Sequence, residues 1–381
     1  MRGDRALRVG GIGLVLLLAV LVILVSLRHK PQADAAASSP APQSQQAASE
    51  QPAPETIAAR RFNGLIAALR SSTNTASSRS ILEAMRGALA ELTPGQAATI
   101  IRDLLDSKMD APTRLGFKLN ADGSLAEAPT LRVFLLDYLA TRNPSAARAC
   151  AESIFATKSS PDEWAVCLRG CARADNSFQS QDYLLRKSEE LIQYQPWQDD
   201  PSTGYLESFD AVVYTHDVGF VPELTDLLCR TTNQPVSHAA YLALDRLIIA
   251  DAAAVLPQLI ADPDAMKGRE ATRADYFARA NAADPAQKQL LQQYLLIPAI
   301  SPEERNAFAQ AYPSANYMLS HNLLTQTALP TGDEIAARDR AAYEAVEVWL
   351  ADPQFAPVAP QLRSIEARLA YFLHQQAAGK P

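Results

Sequence analysis

The sequence is short of aromatic residues, glycine, cysteine and histidine, and each shortage removes a class of chemistry. Aromatics make up 7% of the 381 residues, so a core must be filled by Leu, Ala, Ile and Val. The glycines are scattered, and no Gly-rich run fits a phosphate loop. No H-E-x-x-H fits a zinc protease, and no G-x-S-x-G fits a nucleophile elbow. Strand-like runs of Val, Ile, Thr and Tyr are scarce, whereas the helix formers Ala, Leu, Gln, Glu and Arg abound. The expectation is an all-α protein with no cofactor and no catalytic or metal-binding residue assigned.

One long apolar run stands out. Val9–Leu27 is nineteen residues without a charge, preceded by Arg2, Arg5 and Arg8 and followed by Arg28 and Lys30. As a helix it would span about 28 Å, close to the roughly 30 Å hydrocarbon core of a bilayer. It is longer than the about 7–15 residues of a secretory signal core, and the cleavage-like Ala33-Asp34-Ala35 lies beyond further basic residues. Residues 1–8 therefore read as a short tail and 9–27 as a transmembrane signal-anchor. The lipid bilayer is then one partner of a single-pass membrane protein. The basic residues favour a cytoplasmic N-terminus and an extracytoplasmic body.

Residues 28–55 read as a disordered tether. Within them, 31–55 hold five Pro, eight Ala, five Gln and four Ser and no large apolar residue, so nothing offsets the entropy of ordering. The body, 56–376, is acidic. Without the first thirty residues the chain keeps 30 basic against 41 acidic groups, a net charge of −11, which disfavours a phosphate backbone and argues for no nucleic acid partner.

Helix starts are plain across the body. Thr93-Pro94-Gly95-Gln96, Ser160-Pro161-Asp162-Glu163, Asp284-Pro285-Ala286-Gln287 and Ser301-Pro302-Glu303-Glu304 each combine a capping oxygen, an early Pro, and Glu or Gln three residues after the cap. Ala97, Ile100, Ile101, Leu104 and Leu105 form one helical stripe; Val358, Leu362, Ile365, Leu369, Phe372 and Leu373 form another. Short connections between such segments predict antiparallel helix hairpins. The stretch 116–129 departs from this pattern, alternating around Asp122-Gly123 as a small β-hairpin would. A calcium loop there fails, because Lys118 and Pro129 would occupy its first and last ligand positions.

A 35-residue shift lays Val221-Pro222-Glu223-Leu224 over Leu256-Pro257-Gln258-Leu259, and Ala239, Tyr241, Leu242 and Ala243 over Ala274, Tyr276, Phe277 and Ala278. An early Pro in one helix and an Ala-rich stripe on the next resemble a HEAT-like repeat over 220–282. Val236, Ala240, Ala243 and Leu244 match, and Ser237 stands where that pattern carries Arg. The resemblance implies an irregular α-solenoid of stacked helix pairs.

Few residues invite chemistry. His216, His238, His321 and His374 are scattered, and His216-Asp217 before Gly219 reads as a helix end as readily as an acid–base pair. Cys167 and Cys171 at i, i+4 have metal-ligand spacing, but they also complete an apolar stripe with Trp164 and Leu168. Numbering across a hairpin of 144–157 on 161–174 places Cys150 opposite Cys167, which allows a disulfide in an exported body. The polar loop Tyr194–Tyr205 offers Trp197, Asp199, Asp200 and Tyr205 to a partner, unless Trp197 folds back over a helix end. The expected function is a membrane-anchored, non-catalytic helical-repeat scaffold for an unknown protein partner. The alternative is an envelope enzyme on an α-helical superhelix or toroid, acting on glycans through a carboxylate pair that the sequence does not single out.

Overall fold

The computed structural model describes residues 54–377 except 231, 263, 316–322 and 327. The tail 1–8, the apolar run 9–27, the tether up to residue 53 and His321 lie outside the described residues. Among those described, no helix is long and apolar enough to cross a membrane.

The described chain is mostly helical, as its composition implies. Helices α1 (Pro54–Ser71), α2 (Thr75–Ala90) and α3 (Pro94–Asp106) come first; α1 begins two residues ahead of the expected body. Strands β1 (Lys118–Leu119) and β2 (Leu125–Glu127) then pair antiparallel inside the expected hairpin, with Gly123 at φ +76° in its turn. Next come α4 (Leu131–Arg142), α5 (Pro144–Phe155), α6 (Pro161–Ala174) and α7 (Phe178–Ile192). The short α8 (Gln195–Asp199), α9 (Thr203–Glu207) and α10 (Asp210–Thr215) follow, then α11 (Val221–Arg230) and α12 (Gln234–Ala261). Asp251 breaks α12 with non-helical φ −151° and ψ 77°, so it is two helices end to end. The chain continues through α13 (Glu270–Ala278), α14 (Pro285–Leu295), α15 (Pro302–Ala311), α16 (Gly332–Ala351) and α17 (Ala359–Ala377).

The caps act where the sequence places them. Thr93, Ser160, Asp284 and Ser301 each accept a backbone N–H of the first turn they open. The reciprocal bond differs. Gln96 closes a full capping box on Thr93, whereas Glu163 and Glu304 turn away from their caps into the core. Glu163 takes a two-pronged hydrogen bond from Arg132 at 2.8 and 3.1 Å, and Glu304 takes one from Arg273 at 2.7 and 2.9 Å. Such fork-on-fork pairing of guanidinium and carboxylate fixes both distance and orientation.

Each of these two pairs spans 31 residues of sequence. A shift of 141 residues carries Arg132 onto Arg273 and Asn143-Pro144 onto Asp284-Pro285. It also carries Ser160-Pro161-Asp162-Glu163 onto Ser301-Pro302-Glu303-Glu304. Helices α4–α6 and α13–α15 are thus two copies of one arrangement, with corresponding caps on their second and third helices and the same buried ion pair.

Three further buried pairs, Asp137–Arg169, Asp210–Arg246 and Asp245–Arg279, span 32, 36 and 34 residues respectively. They also set directions. Arg132–Glu163 joins the first turns of α4 and α6 while Asp137–Arg169 joins their middles, so those helices run the same way. Tyr241 stacks on Tyr276 at 5.6 Å and Asp245 pairs with Arg279, which makes the first part of α12 parallel to α13. Arg273–Glu304 at one end, and the Ser314 N–H donating to the Ala278 carbonyl at the other, align α13 with α15. Leu242, on the stripe read from sequence, is buried in this layer.

Candidate functional site

Helices α12, α13 and α15 present successive turns side by side, and α16 and α17 pack on one another next to them. Between them lies a groove of about 470 Å³ lined by Tyr241, Asp275, Gln310, Ser314, Asp339 and Phe372. Its arginines are already engaged. Arg279 holds Asp245 at 2.9 and 3.1 Å, and Arg368 donates to the carbonyls of Ala309, Gln310 and Tyr312 that end α15.

The two carboxylates on the groove differ from these, because neither Asp275 nor Asp339 has a hydrogen bond or ion pair among the described residues. Loss of water on the groove side raises both above the ordinary carboxylate value. The Arg279 charge opposes the rise at Asp275, and Arg338 and Arg368 oppose it at Asp339. The Tyr241 hydroxyl is raised too, first by burial and then by Asp245 and Asp275. The arrangement offers acceptors and an aromatic wall to a polar or cationic group.

A second cavity, about 560 Å³, opens beside the β-hairpin among Arg86, Asn120, Ser124, Tyr138 and Arg142. Arg86 there is taken up by Glu83 at 3.0 Å and lies over the Phe134 ring. The carbonyls of the hairpin turn, which a cation would need, accept instead from Arg169 at Gly123 and Arg173 at Asp122.

The loop Tyr194–Tyr205 is corrected by the structure. Trp197 is 7% exposed and Tyr205 is fully buried, so neither is a surface anchor. Trp197 meets Trp164 edge-on at 5.3 Å and Tyr194 at 4.9 Å; Tyr205 meets Phe209 at 5.5 Å and donates its hydroxyl to the Ile192 carbonyl. The cause is Asp162, which accepts from the Ser202 hydroxyl at 2.6 Å and the Gly204 N–H at 2.9 Å and pulls the loop inward. A Cβ on Gly204 would come 2.3 Å from that carboxylate, so only glycine allows the approach. Asp199 and Asp200 stay exposed, Asp199 accepting from Gln195.

The cysteines are free thiols. Cys150 and Cys167 lie on the packed pair α5–α6, close enough that the charge of one raises the other. Burial pushes both upward, Cys167 furthest, and pushes Cys171 to about 11. Thiols held that high are poor nucleophiles at neutral pH. His216 is a left-handed cap of α10 at φ 53°, followed by Asp217 capping the next turn through the Gly219 N–H. His238 is exposed and stacks on Tyr241 at 6.1 Å, and His374 is exposed near the end of α17.

Local sequence patterns do not single out the buried ion pairs or the groove carboxylates. The signal available was Arg to Asp or Glu recurring at 31–36 residues on otherwise apolar faces. No family model, curated protein or solved structure matches the chain.

Proposed function

We propose that this chain is a membrane-anchored, non-catalytic scaffold, an irregular HEAT-like α-solenoid that binds a protein partner. Residues 9–27 anchor it in the bilayer, the tether holds the body off the surface, and the body lies outside the cytoplasm. The observation that carries this reading is the run of same-direction helices α12, α13 and α15, linked one repeat apart by buried ion pairs and leaving a polar groove open beside them. Stacked repeats serve binding in this way, since each unit buries its apolar side on its neighbours and keeps one face free.

The glycan-cleaving alternative draws on Asp275 and Asp339 sharing one groove. An acid and a base need partners that orient them and divide their roles, and neither carboxylate has a hydrogen-bonded partner among the described residues. That favours binding over catalysis.

Photo-crosslinking of the full chain in native membranes tests the proposal. A crosslinker at Gln310 in the groove should capture a protein that one at exposed Gln193 does not. Equal capture from both positions, or glycan cleavage lost in Asp275→Asn, refutes it. Labelling a cysteine placed in the tether with a membrane-impermeant reagent on intact cells checks the orientation; protection until lysis puts the body in the cytoplasm.

A further inference from the structure

Residues 323–326, Leu-Leu-Thr-Gln, lie between α15 and α16 without helix or strand, yet they reach parts of the chain 114 to 205 residues earlier. All of the order in this short segment is supplied by what it touches. At the start of α10, buried Asp210 turns one carboxylate oxygen to two successive backbone N–H groups, Leu324 at 2.6 Å and Thr325 at 2.8 Å. Its other oxygen accepts the Thr325 hydroxyl at 2.5 Å and the Arg246 guanidinium at 2.8 Å. Arg246 also donates to the Thr325 oxygen, so the hydroxyl is read as donor and as acceptor. Leu323 is fully buried beside these groups, and the Gln326 amide donates to the Ala121 carbonyl at the hairpin turn at 3.0 Å.

These are the contacts of a peptide-recognition site. Backbone amides are gripped whatever the side chain, one aliphatic residue is buried, and one hydroxyl is tested two positions later. Charge balance at Asp210 does not require the segment, because its carboxylate pairs directly with Arg246 at 2.8 Å.

We propose that the α10–α12 cleft is a docking site for an extended peptide. It is filled in cis by Leu323–Gln326 and open in trans to a segment of a protein partner with an aliphatic residue two positions before Thr or Ser. The inference rests on the protein-binding reading above and names how that partner is held. A tethered copy competes at an effective concentration on the order of millimolar, so the resident segment sets a threshold that a partner must exceed.

The probe is the synthetic peptide acetyl-Gly-Ser-Leu-Leu-Thr-Gln-Ser-Gly-amide, titrated by calorimetry into the full chain and into a variant with residues 323–326 replaced by Gly-Ser-Gly-Ser. The variant should bind one peptide about tenfold or more tighter than the wild type, and a peptide with Val for Thr should lose about tenfold. A folded variant that ignores the peptide overturns the proposal, as does a variant that cannot fold, because a segment the core cannot spare is not exchangeable. Thr325→Val gives an independent reading by hydrogen exchange. The Leu324 and Thr325 amides should exchange well ahead of the α12 core, and exchange only through global unfolding counts against the proposal. A partner crosslinked at the groove without peptide binding here would leave the scaffold reading standing and remove this one alone.

Discussion

Helices α4–α6 and α13–α15 share their order, the caps of their second and third helices and a buried Arg–Glu pair, yet the first copy carries a β-hairpin on its edge and the second borders the groove of α12, α16 and α17. In the first, Asp137–Arg169 adds a second ion pair and Arg169 continues to the Gly123 carbonyl, so the β-hairpin is bolted onto the layer. In the second, Ala278 and Gln310 stand at those two positions, and rings replace the charges. Phe277 stacks on Tyr294 at 3.9 Å, and Tyr294 continues to Phe308 and Phe308 to Tyr312. Losing one ion pair and its hairpin frees an edge of α13 and α15, and Asp275 and Gln310 face the groove there. A repeated framework acquires a site where one copy gives up a closing contact.

The largest expected effect separates the copies by their shared pair. Glu304→Ala leaves Arg273 buried and removes the acceptor of the Tyr294 hydroxyl, and should cost about 3–5 kcal/mol. Glu163→Ala should cost less, because the Arg132 side chain is the more exposed of the two arginines, at 13% against 7%. Urea denaturation of both variants checks the order; a reversal would mean that the second copy is the looser one throughout.

That pair also marks the limit of what the sequence shows. The helices, their caps, the hairpin and the buried stripe of α12 follow from local rules, since each depends on residues a few positions apart. Glu163 and Glu304 have the spacing of capping boxes, and local rules assign them to their caps. They pair with arginines 31 residues away because burial leaves each guanidinium no better partner. Trp197 and Tyr205 read as loop residues because Asp162, which draws them in, lies about forty residues earlier. The segment 323–326 has no periodicity at all, and its contacts reach from 79 to 205 residues back along the chain.

A smaller effect sits where the first copy meets α9. Gly204→Ala forces a methyl against Asp162, both its carboxylate and its Cα, so the loop must withdraw and expose the Trp164–Trp197 contact. The cost should be about 1–3 kcal/mol, with tryptophan fluorescence shifting to the red in the native state. An unchanged midpoint and emission would show that the loop does not depend on this close approach.

The two regions should also respond to acid with opposite sign. Asp175, which follows α6, is held at about 2 by hydrogen bonds from Ser180 first and then Ser177, well below its ordinary 3.8. Its stabilisation is full above the ordinary value and is lost as pH falls through the folded one. Asp275 and Asp339 are raised, so the native state takes up their protons before the unfolded chain does, and they favour folding more as pH falls toward 3.8. Asp175→Asn should therefore destabilise at neutral pH and flatten the acid loss. The double variant Asp275→Asn, Asp339→Asn should be slightly more stable than wild type at pH 7, an advantage gone by about pH 4. Urea midpoints across pH 3–7 (about one unit apart) separate the two, and parallel curves would reject the assignment.

The smallest effect tests which face of α12 belongs to the layer and which to solvent. His238 and Leu242 lie one turn apart, yet Leu242 is 2% exposed while His238 stands in water against the Tyr241 ring. Only His238 is the exposed partner of this stack, Tyr241 being half-buried, so the loss of the imidazole is offset by hydration of the ring face it covered. The layer itself is held from the other side, through Tyr276 and the Asp245–Arg279 pair. His238→Ala should then change stability by less than about 0.5 kcal/mol, as exposed substitutions usually do. Tyr241 should keep its stacking on Tyr276, readable as unchanged near-ultraviolet dichroism. A loss as large as that from truncating Leu242 would mean that His238 packs inward, and the face of α12 assigned to solvent would have to be turned over.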